Sequence, residues 1–333
     1  MNIALTLFTT LAPSGAVAFV CLAVLVMWKG ERSDGAEHLE HWLIAPLAVC
    51  MVGLVASATH LGTPGNALYV FAGWGRSPLS NEVMSALGFL VLAGLYWLAS
   101  FSRKKPPVAV CRVWLFLACV TALWLVSMIS IVYAIPTIPP WNSELVPYGL
   151  WCMALSSGPL LAIATCACAR AFYRAKTRKR GALVPNAGVV QSGKGLKREE
   201  VLPHAEALPG EEVLVNEGNK APLSPPFLVF LRILLVVSSL AFAASLIVFG
   251  LQNTELPYFS NSFGTADGLV PWYGWGIVCY GVLGAFGIVI TAAPLLRKKT
   301  LRLGPTLAGA VLMLAGVALM RVGFYHLLMT VGL

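Results

Sequence analysis

The chain has 333 residues, of which 58% are hydrophobic and only 11% charged, with a formal net charge of +9. Soluble domains carry about 25% charged residues, so this composition excludes a soluble globular fold. Apolar runs of about 20 residues recur along the chain, each long enough to cross a hydrocarbon core ~30 Å thick as a helix. Backbone groups inside lipid must pair with one another, which leaves helices as the expected spanning element.

The expected fold class is therefore all-α: a polytopic membrane helical bundle of about eight transmembrane helices, a single integral membrane domain over residues 1–333. Spans are expected near 4–28, 42–61, 83–101, 113–134, 148–172, 227–250, 270–295 and 304–328. The first contains ALTLFTTLAPSGAVA, which has the apolar core of a signal peptide. Its positive charges, Lys29 and Arg32, follow the apolar run instead of preceding it, so it reads as an uncleaved span. Between the fifth and sixth spans, residues 174–226 are polar, rich in glycine and proline, and mixed in charge. They read as a mostly disordered cytoplasmic loop with no catalytic motif. This loop divides the spans four and four, which raises an internal duplication, although no sequence repeat supports one.

Charge gives the direction. Of the 23 Lys and Arg residues, 21 fall in or beside the first, third, fifth and seventh loops. The opposite loops carry only Arg76, and Arg321 lies inside the last span. The positive-inside rule places the basic loops in the cytoplasm and both termini outside. The net charge thus reflects topology, and membrane lipids are expected partners while nucleic acid is not. The eight cysteines bind nothing in this reading: seven sit in apolar runs, Cys111 borders a basic loop, and no C-x-x-C occurs. A disulfide framework or an iron–sulfur cluster held by this chain alone is not expected.

The remaining ionisable residues gather on the outer side. His60 ends the second span, and Glu82 opens the third with Ser80 or Asn81 as its cap. Arg76 lies in the loop between them, and Arg321 lies five or six residues inside the outer end of the last span, with His326 at that end. Ionisable groups within a membrane are costly and are candidates for function. Simpler roles compete with that reading. His60 suits an interfacial residue bonded to a carbonyl, Glu82 a charge at a helix N-terminus, and Arg76 a contact to lipid headgroups. Arg321 needs a buried partner, which Glu82 or another acid of the outer face could supply. His38 and His41 have a metal-like spacing, but Glu37 and Glu40 beside them indicate a solvated polar turn.

Glycine and proline in HLGTPGNA, with Gly73 and Gly75 beyond, interrupt the helix, and Tyr69, Phe71 and Trp74 add flat apolar faces. A histidine, a carboxylate and aromatic surfaces at one membrane edge suit a lipid-soluble aromatic ligand such as a quinol. Quinol oxidation releases two protons with two electrons, and an imidazole with its ordinary pKa near ~6.5 accepts a proton at neutral pH.

His60-Leu61-Gly62-Thr63-Pro64 followed by Leu79-Ser80-Asn81-Glu82 resembles the signature of the membrane anchor subunit of dimethyl sulfoxide reductases, the DmsC family, as does the ending Arg321-Val322-Gly323-Phe324-Tyr325. The likeness extends over the chain apart from the long loop at 174–226. It implies a quinol-oxidising anchor that takes menaquinol as bound substrate and carries no haem or iron–sulfur cluster of its own. Its implied partners are a four-cluster, ferredoxin-like iron–sulfur subunit and a molybdopterin catalytic subunit on the outer face. The family's quinol-site histidine falls on His60 and its acidic partner on Glu82, and Trp74, Arg76, Arg321 and Tyr325 are expected to line the same site. The outer loops around Trp141 and Trp272, with Glu144, Glu255 and Asp267 and no Lys or Arg, are read as docking surfaces.

Three other functions compete. A di-haem cytochrome b anchor needs two axial ligands for each haem, whereas only His60 and His326 lie at the membrane, both on the outer side. A transporter favours polar residues near the bilayer midplane, whereas the middle of most of these spans reads as apolar. A purely structural anchor without a quinol site would tolerate loss of His60.

Overall fold

The computed structural model describes residues 3–29, 39–59, 68–104, 106–183, 223–261 and 264–327. Eight helices among these residues are long and apolar enough to cross a membrane. They are α1 (Ile3–Lys29), α2 (Ile44–Ala58), α4 (Pro78–Ala99), α5 (Val108–Val132), α6 (Leu145–Leu183), α7 (Pro225–Glu255), α9 (Tyr273–Arg297) and α10 (Leu303–His326). Two four-residue helices, α3 (Tyr69–Ala72) and α8 (Ala266–Leu269), lie in outer loops, and a two-residue hairpin pairs Ser260–Asn261 with Gly264–Thr265. Eight crossings among the described residues put the start of α1 and the end of α10 on one side of the bundle. The protein is a multi-pass, all-helical membrane protein.

Two boundaries differ from the expected ones in ways that matter. The third span begins at Pro78, five residues before the expected start, because Ser77 is extended (φ −110°, ψ 128°) and the ring of Pro78 is preset for a first helical position. Ser77, and neither Ser80 nor Asn81, is thus the N-terminal flanking residue, and its side chain makes no capping bond. Asn81 instead accepts a hydrogen bond from the Gly75 N–H at 2.8 Å, which ties the preceding turn down onto the helix. Gly75 takes a φ of +77°, a conformation that favours glycine. The fifth span continues as a 39-residue helix to Leu183, roughly 58 Å in length. It therefore runs into the segment read as a loop from residue 174, and residues 184–222 of that segment lie outside the described residues.

His41 is not in a solvated turn. A 3₁₀ segment, Leu39–Leu43, leads into α2, and there His41 Nδ1 lies 3.0 Å from Ser100 Oγ while its ring stacks on Phe101 at 4.3 Å. The Trp97 indole N–H also donates to the His41 carbonyl at 3.0 Å. His38 lies outside the described residues.

Helices α1 and α6 form the middle of the bundle: 67% and 78% of their most apolar windows are buried, against 22% for α9. Each packs on the other, on the second and fourth spans of its own half, and on the fourth span of the opposite half. The pairs α4 with α5 and α9 with α10 complete the pattern. Exchanging α1, α2, α4 and α5 for α6, α7, α9 and α10 returns the same principal contacts, and α3 and α8 occupy matching places along the sequence. The two halves repeat in architecture where the sequence shows no repeat. Each contains four crossings and starts on the same side, so the repeat is parallel in sense and not inverted.

Close backbone approach holds the pairs together, as lipid supplies no hydrophobic drive between helices. A Cβ on Gly15 would fall 2.6 Å from the Cys50 amide nitrogen, and one on Gly287 would fall 2.6 Å from the Gly309 carbonyl. The span interiors are also less apolar than their sequences read. Ser14 and Ser157 hydroxyls meet at 2.6 Å, Ser238 donates to the Ser156 carbonyl at 2.5 Å, and the Tyr280 and Ser245 hydroxyls meet at 2.7 Å. Each of these is satisfied by a neighbouring helix, so they act as interhelical ties.

Gly15→Leu is expected to destabilise the folded protein by about 1–3 kcal/mol through forced separation of α1 and α2, read as a lower thermal unfolding midpoint in detergent. Gly94→Leu, where a Cβ meets open space, should leave the midpoint unchanged.

Candidate functional site

At the outer end of the bundle, the first turns of α1 meet the last turns of α10, the end of α5 and the loop that follows it. The sequence explains why α10 brings a cation here: Arg321 and Tyr325 are four residues apart and share one face. Arg321 is only 2% exposed. Its Nε donates to Thr9 Oγ1 at 2.9 Å, and its Nη2 reaches the Tyr325 hydroxyl at 3.4 Å. Thr9 and Tyr325 pass these bonds on, both donating to the Leu5 carbonyl, at 2.9 and 3.3 Å. The guanidinium carbon lies 4.2 Å from the Phe324 ring centre and 5.2 Å from the rings of both Tyr133 and Tyr325.

Trp141 closes the cage. Its ring stacks on Phe324 at 4.7 Å, and its indole N–H donates to the Phe324 carbonyl at 3.1 Å. Turn hydrogen bonds after α5, including Trp141 N–H to the Ile138 carbonyl at 2.8 Å, bring the loop back over the bundle. Trp141 is therefore buried, and the reading of it as a docking residue is corrected. Trp272 is partly exposed, with its ring edge-on to His326 at 4.9 Å.

Glu82 is buried in the second turn of α4, and its Oε2 has no hydrogen-bond partner among the described residues. The expected pairing of Arg321 with this carboxylate is not what holds the cation, since hydroxyls and aromatic faces take that place. Both charges act on Tyr133. Burial pushes the Tyr133 phenol well above its ordinary range. Tyr325 and Glu82 push in the same direction, and Arg321 opposes them. On the far side of Arg321, a cavity of about 10 Å³ is lined by Gln252, Tyr273 and Met320 among others, room for about one water molecule. There Tyr273 donates to Gln252 Oε1 at 3.0 Å, leaving Gln252 Nε2 buried without a partner among the described residues.

Of the six residues expected at the site, Arg321 and Tyr325 are in direct contact, and Glu82 is buried at the same end of the bundle. Trp74 and Arg76 sit on the exposed outer turn. His60 lies outside the described residues, one position beyond Thr59, the last described residue after α2. Thr9, Tyr133, Trp141 and Phe324 escaped the sequence reading as site residues. Only the Phe-Tyr pair after Arg321 hinted at an aromatic cage, because threonine and tyrosine in apolar runs carry no signal by themselves.

A bundle of eight apolar helices with a buried cation and a buried carboxylate, one oxygen of which has no partner among the described residues, belongs to the class of integral membrane proteins that keep charged groups near one end of their spans. The profile of the family described as DMSO reductase anchor subunit (DmsC) matches residues 1–185, and the protein belongs to that family. It is thus a membrane anchor of a DMSO-reductase-type complex. It is 28% identical over 330 residues to the YnfH chain of an anaerobic dimethyl sulfoxide reductase of Escherichia coli, covering 99% of this sequence and 95% of that protein. Identity to the C chain of the anaerobic dimethyl sulfoxide reductase of the same organism is 27% over 330 residues, covering 99% and 96%. The C chain of the Haemophilus influenzae anaerobic dimethyl sulfoxide reductase is 32% identical over 161 residues, 48% of this sequence and 57% of that protein.

Thr9→Val should leave the Arg321 Nε–H buried without its acceptor, at a cost of about 1–3 kcal/mol, seen as a lower thermal midpoint, while Thr9→Ser should retain most of the stability. Because the folded-state pKa of Tyr133 is raised, its contribution to stability is complete below the unfolded phenol's value of about 10 and is lost as pH rises beyond it. A tyrosinate absorbance titration should accordingly show no difference between wild type and Tyr133→Phe up to pH about 10.

Proposed function

We propose that this anchor oxidises menaquinol at its outer edge and passes the electrons to an iron–sulfur cluster in a docked partner subunit, which serves a molybdopterin catalytic subunit. The observation that carries the reading is Glu82: a carboxylate oxygen buried at the outer end of a span with no donor among the described residues. A buried acceptor left unpaired costs about 1–3 kcal/mol, and a quinol hydroxyl is a donor of the right kind. The resemblance of the His60 and Glu82 segments to the anchor signature supports the same assignment.

In this reading His60 accepts a proton from the quinol hydroxyl and Glu82 relays it outward. Oxidation releases two electrons and two protons per quinol, with the electrons leaving to the partner and the protons to the outer side. Arg321, fixed by Thr9, Tyr325 and three aromatic faces, keeps a fixed positive charge at the same end of the bundle. Trp74 and Arg76, on the exposed outer turn, flank the approach from the lipid and headgroup region. This protein supplies no haem or cluster in the proposal, so the partner provides the electron acceptor.

Quinol-driven acceptor reduction in membranes tests it. His60→Ala and Glu82→Gln should each lower quinol-driven turnover by at least about tenfold, the lower end of typical acid–base contributions, while an artificial donor to the catalytic subunit still supports the wild-type rate. Unchanged quinol-driven rates in both variants would overturn the proposal. Because release and consumption of protons fall on the same side, vesicles oxidising quinol should also build little pH gradient.

A further inference from the structure

We propose that the small cavity behind Arg321 binds one water molecule, held by Gln252, Tyr273 and Arg321, and that this water joins the two halves of the bundle at their outer end. The cavity has a volume of about 10 Å³, the space that a single water needs. Apolar side chains of α6, α7 and α10, among them Val146, Met153 and Met320, make the rest of its wall.

The polar groups at this cavity are rich in donors. Gln252 is 2% exposed; its Oε1 accepts from the Tyr273 hydroxyl at 3.0 Å, and its Nε2 has no hydrogen-bond partner among the described residues. Arg321 is as deeply buried. Thr9 and Tyr325 each take one of its N–H groups, and a guanidinium has further ones to place. Amide and guanidinium N–H groups only donate, so Gln252 Nε2 and Arg321 cannot satisfy each other. Glu255, one turn beyond Gln252, accepts from the Ser143 hydroxyl at 3.0 Å and is not part of the cavity wall.

Water meets that need within the space. Its oxygen accepts from Gln252 Nε2 and from Arg321, and its hydrogens have the Tyr273 oxygen, which keeps a lone pair while donating to Gln252. A buried water usually makes about three such bonds. A small anion would accept from the same two donors but could give nothing to Tyr273. Gln252 and Tyr273 belong to α7 and α9 of the second half, whereas Arg321 is bonded to Thr9 of the first. The water therefore continues a hydrogen-bonded path from Thr9 through Arg321 to Gln252 and Tyr273, across the boundary between the halves.

Ionising radiation turns a bound water into a hydroxyl radical in place, and a methionine sulfur beside it is oxidised to the sulfoxide, which peptide mass spectrometry counts. The full-length protein in nanodiscs would be exposed to short X-ray pulses. Met153 and Met320, in the cavity wall, should gain oxygen severalfold faster than Met313, which is just as buried on α10 but lies outside that wall. Val146→Leu, which adds a methylene to the wall, should bring both down to the Met313 rate. Equal rates at Met153, Met320 and Met313 in the wild type would overturn the proposal, as would labelling of Met153 and Met320 that Val146→Leu leaves unchanged. The thermal midpoint should also be the same in chloride and in gluconate. A chloride-dependent rise that Gln252→Leu removes would overturn the proposal by showing that an anion fills the site.

Discussion

The outer end of this bundle is organised by the cost of keeping one guanidinium out of water. A cation at membrane depth costs about 3 kcal/mol or more, and a carboxylate is the usual remedy. Here Arg321 is held by Thr9, Tyr325 and the faces of Phe324, Tyr133 and Tyr325. Desolvated cation–aromatic contacts are worth up to about 2 kcal/mol each, so several of them together with two hydroxyls can offset the burial. The consequence reaches beyond stability. A cation neutralised by a carboxylate would have consumed Glu82, whereas one held by neutral groups leaves the Glu82 Oε2 without a partner among the described residues.

That arrangement requires residues from distant parts of the sequence. Thr9 comes from the first helix, Tyr133 and Trp141 from the turn after the fourth span, and Arg321 from the last. They meet because α1 is central and packs against both α5 and α10. The central position in turn depends on close packing at Gly15 and on hydroxyl ties such as Ser14 to Ser157. Packing in the middle of the membrane and polar chemistry at its edge are thus linked along a single helix.

Much of this is legible in the sequence. The eight spans and the gathering of Glu82, Arg321 and Tyr325 at one end follow from hydropathy and from the order of the spans. The start of α4 is misplaced by hydropathy because Ser80, Asn81 and Glu82 are polar enough to pass for a loop, and only the proline geometry at Pro78 draws them into the helix. The cage around Arg321 cannot be read at all. Its members are hydroxyl and aromatic residues whose individual hydropathy is ordinary, and their meaning arises only from contacts across more than 300 positions, such as Arg321 with Thr9. The same holds for His41, whose charged neighbours in sequence point to water while its ring stacks on Phe101.

The repeat of the two halves gives an internal comparison. The corner between α2 and α4 in the first half, with Glu82 in α4, corresponds to the corner between α7 and α9 in the second, where Gln252 and Tyr273 meet. In the second half the corner is closed: the Tyr273 hydroxyl bonds Gln252 directly at 3.0 Å, both side chains are buried, and the cavity beside them admits about one water. Neither of those groups is an acid or base suited to neutral pH. In the first half the corresponding element carries Glu82, whose Oε2 has no partner among the described residues. Among the described residues each corner thus holds one buried polar atom without a hydrogen-bond partner, the Gln252 amide nitrogen in the second half and a Glu82 carboxylate oxygen in the first. The two differ in chemistry, because the carboxylate can change its charge and the amide cannot.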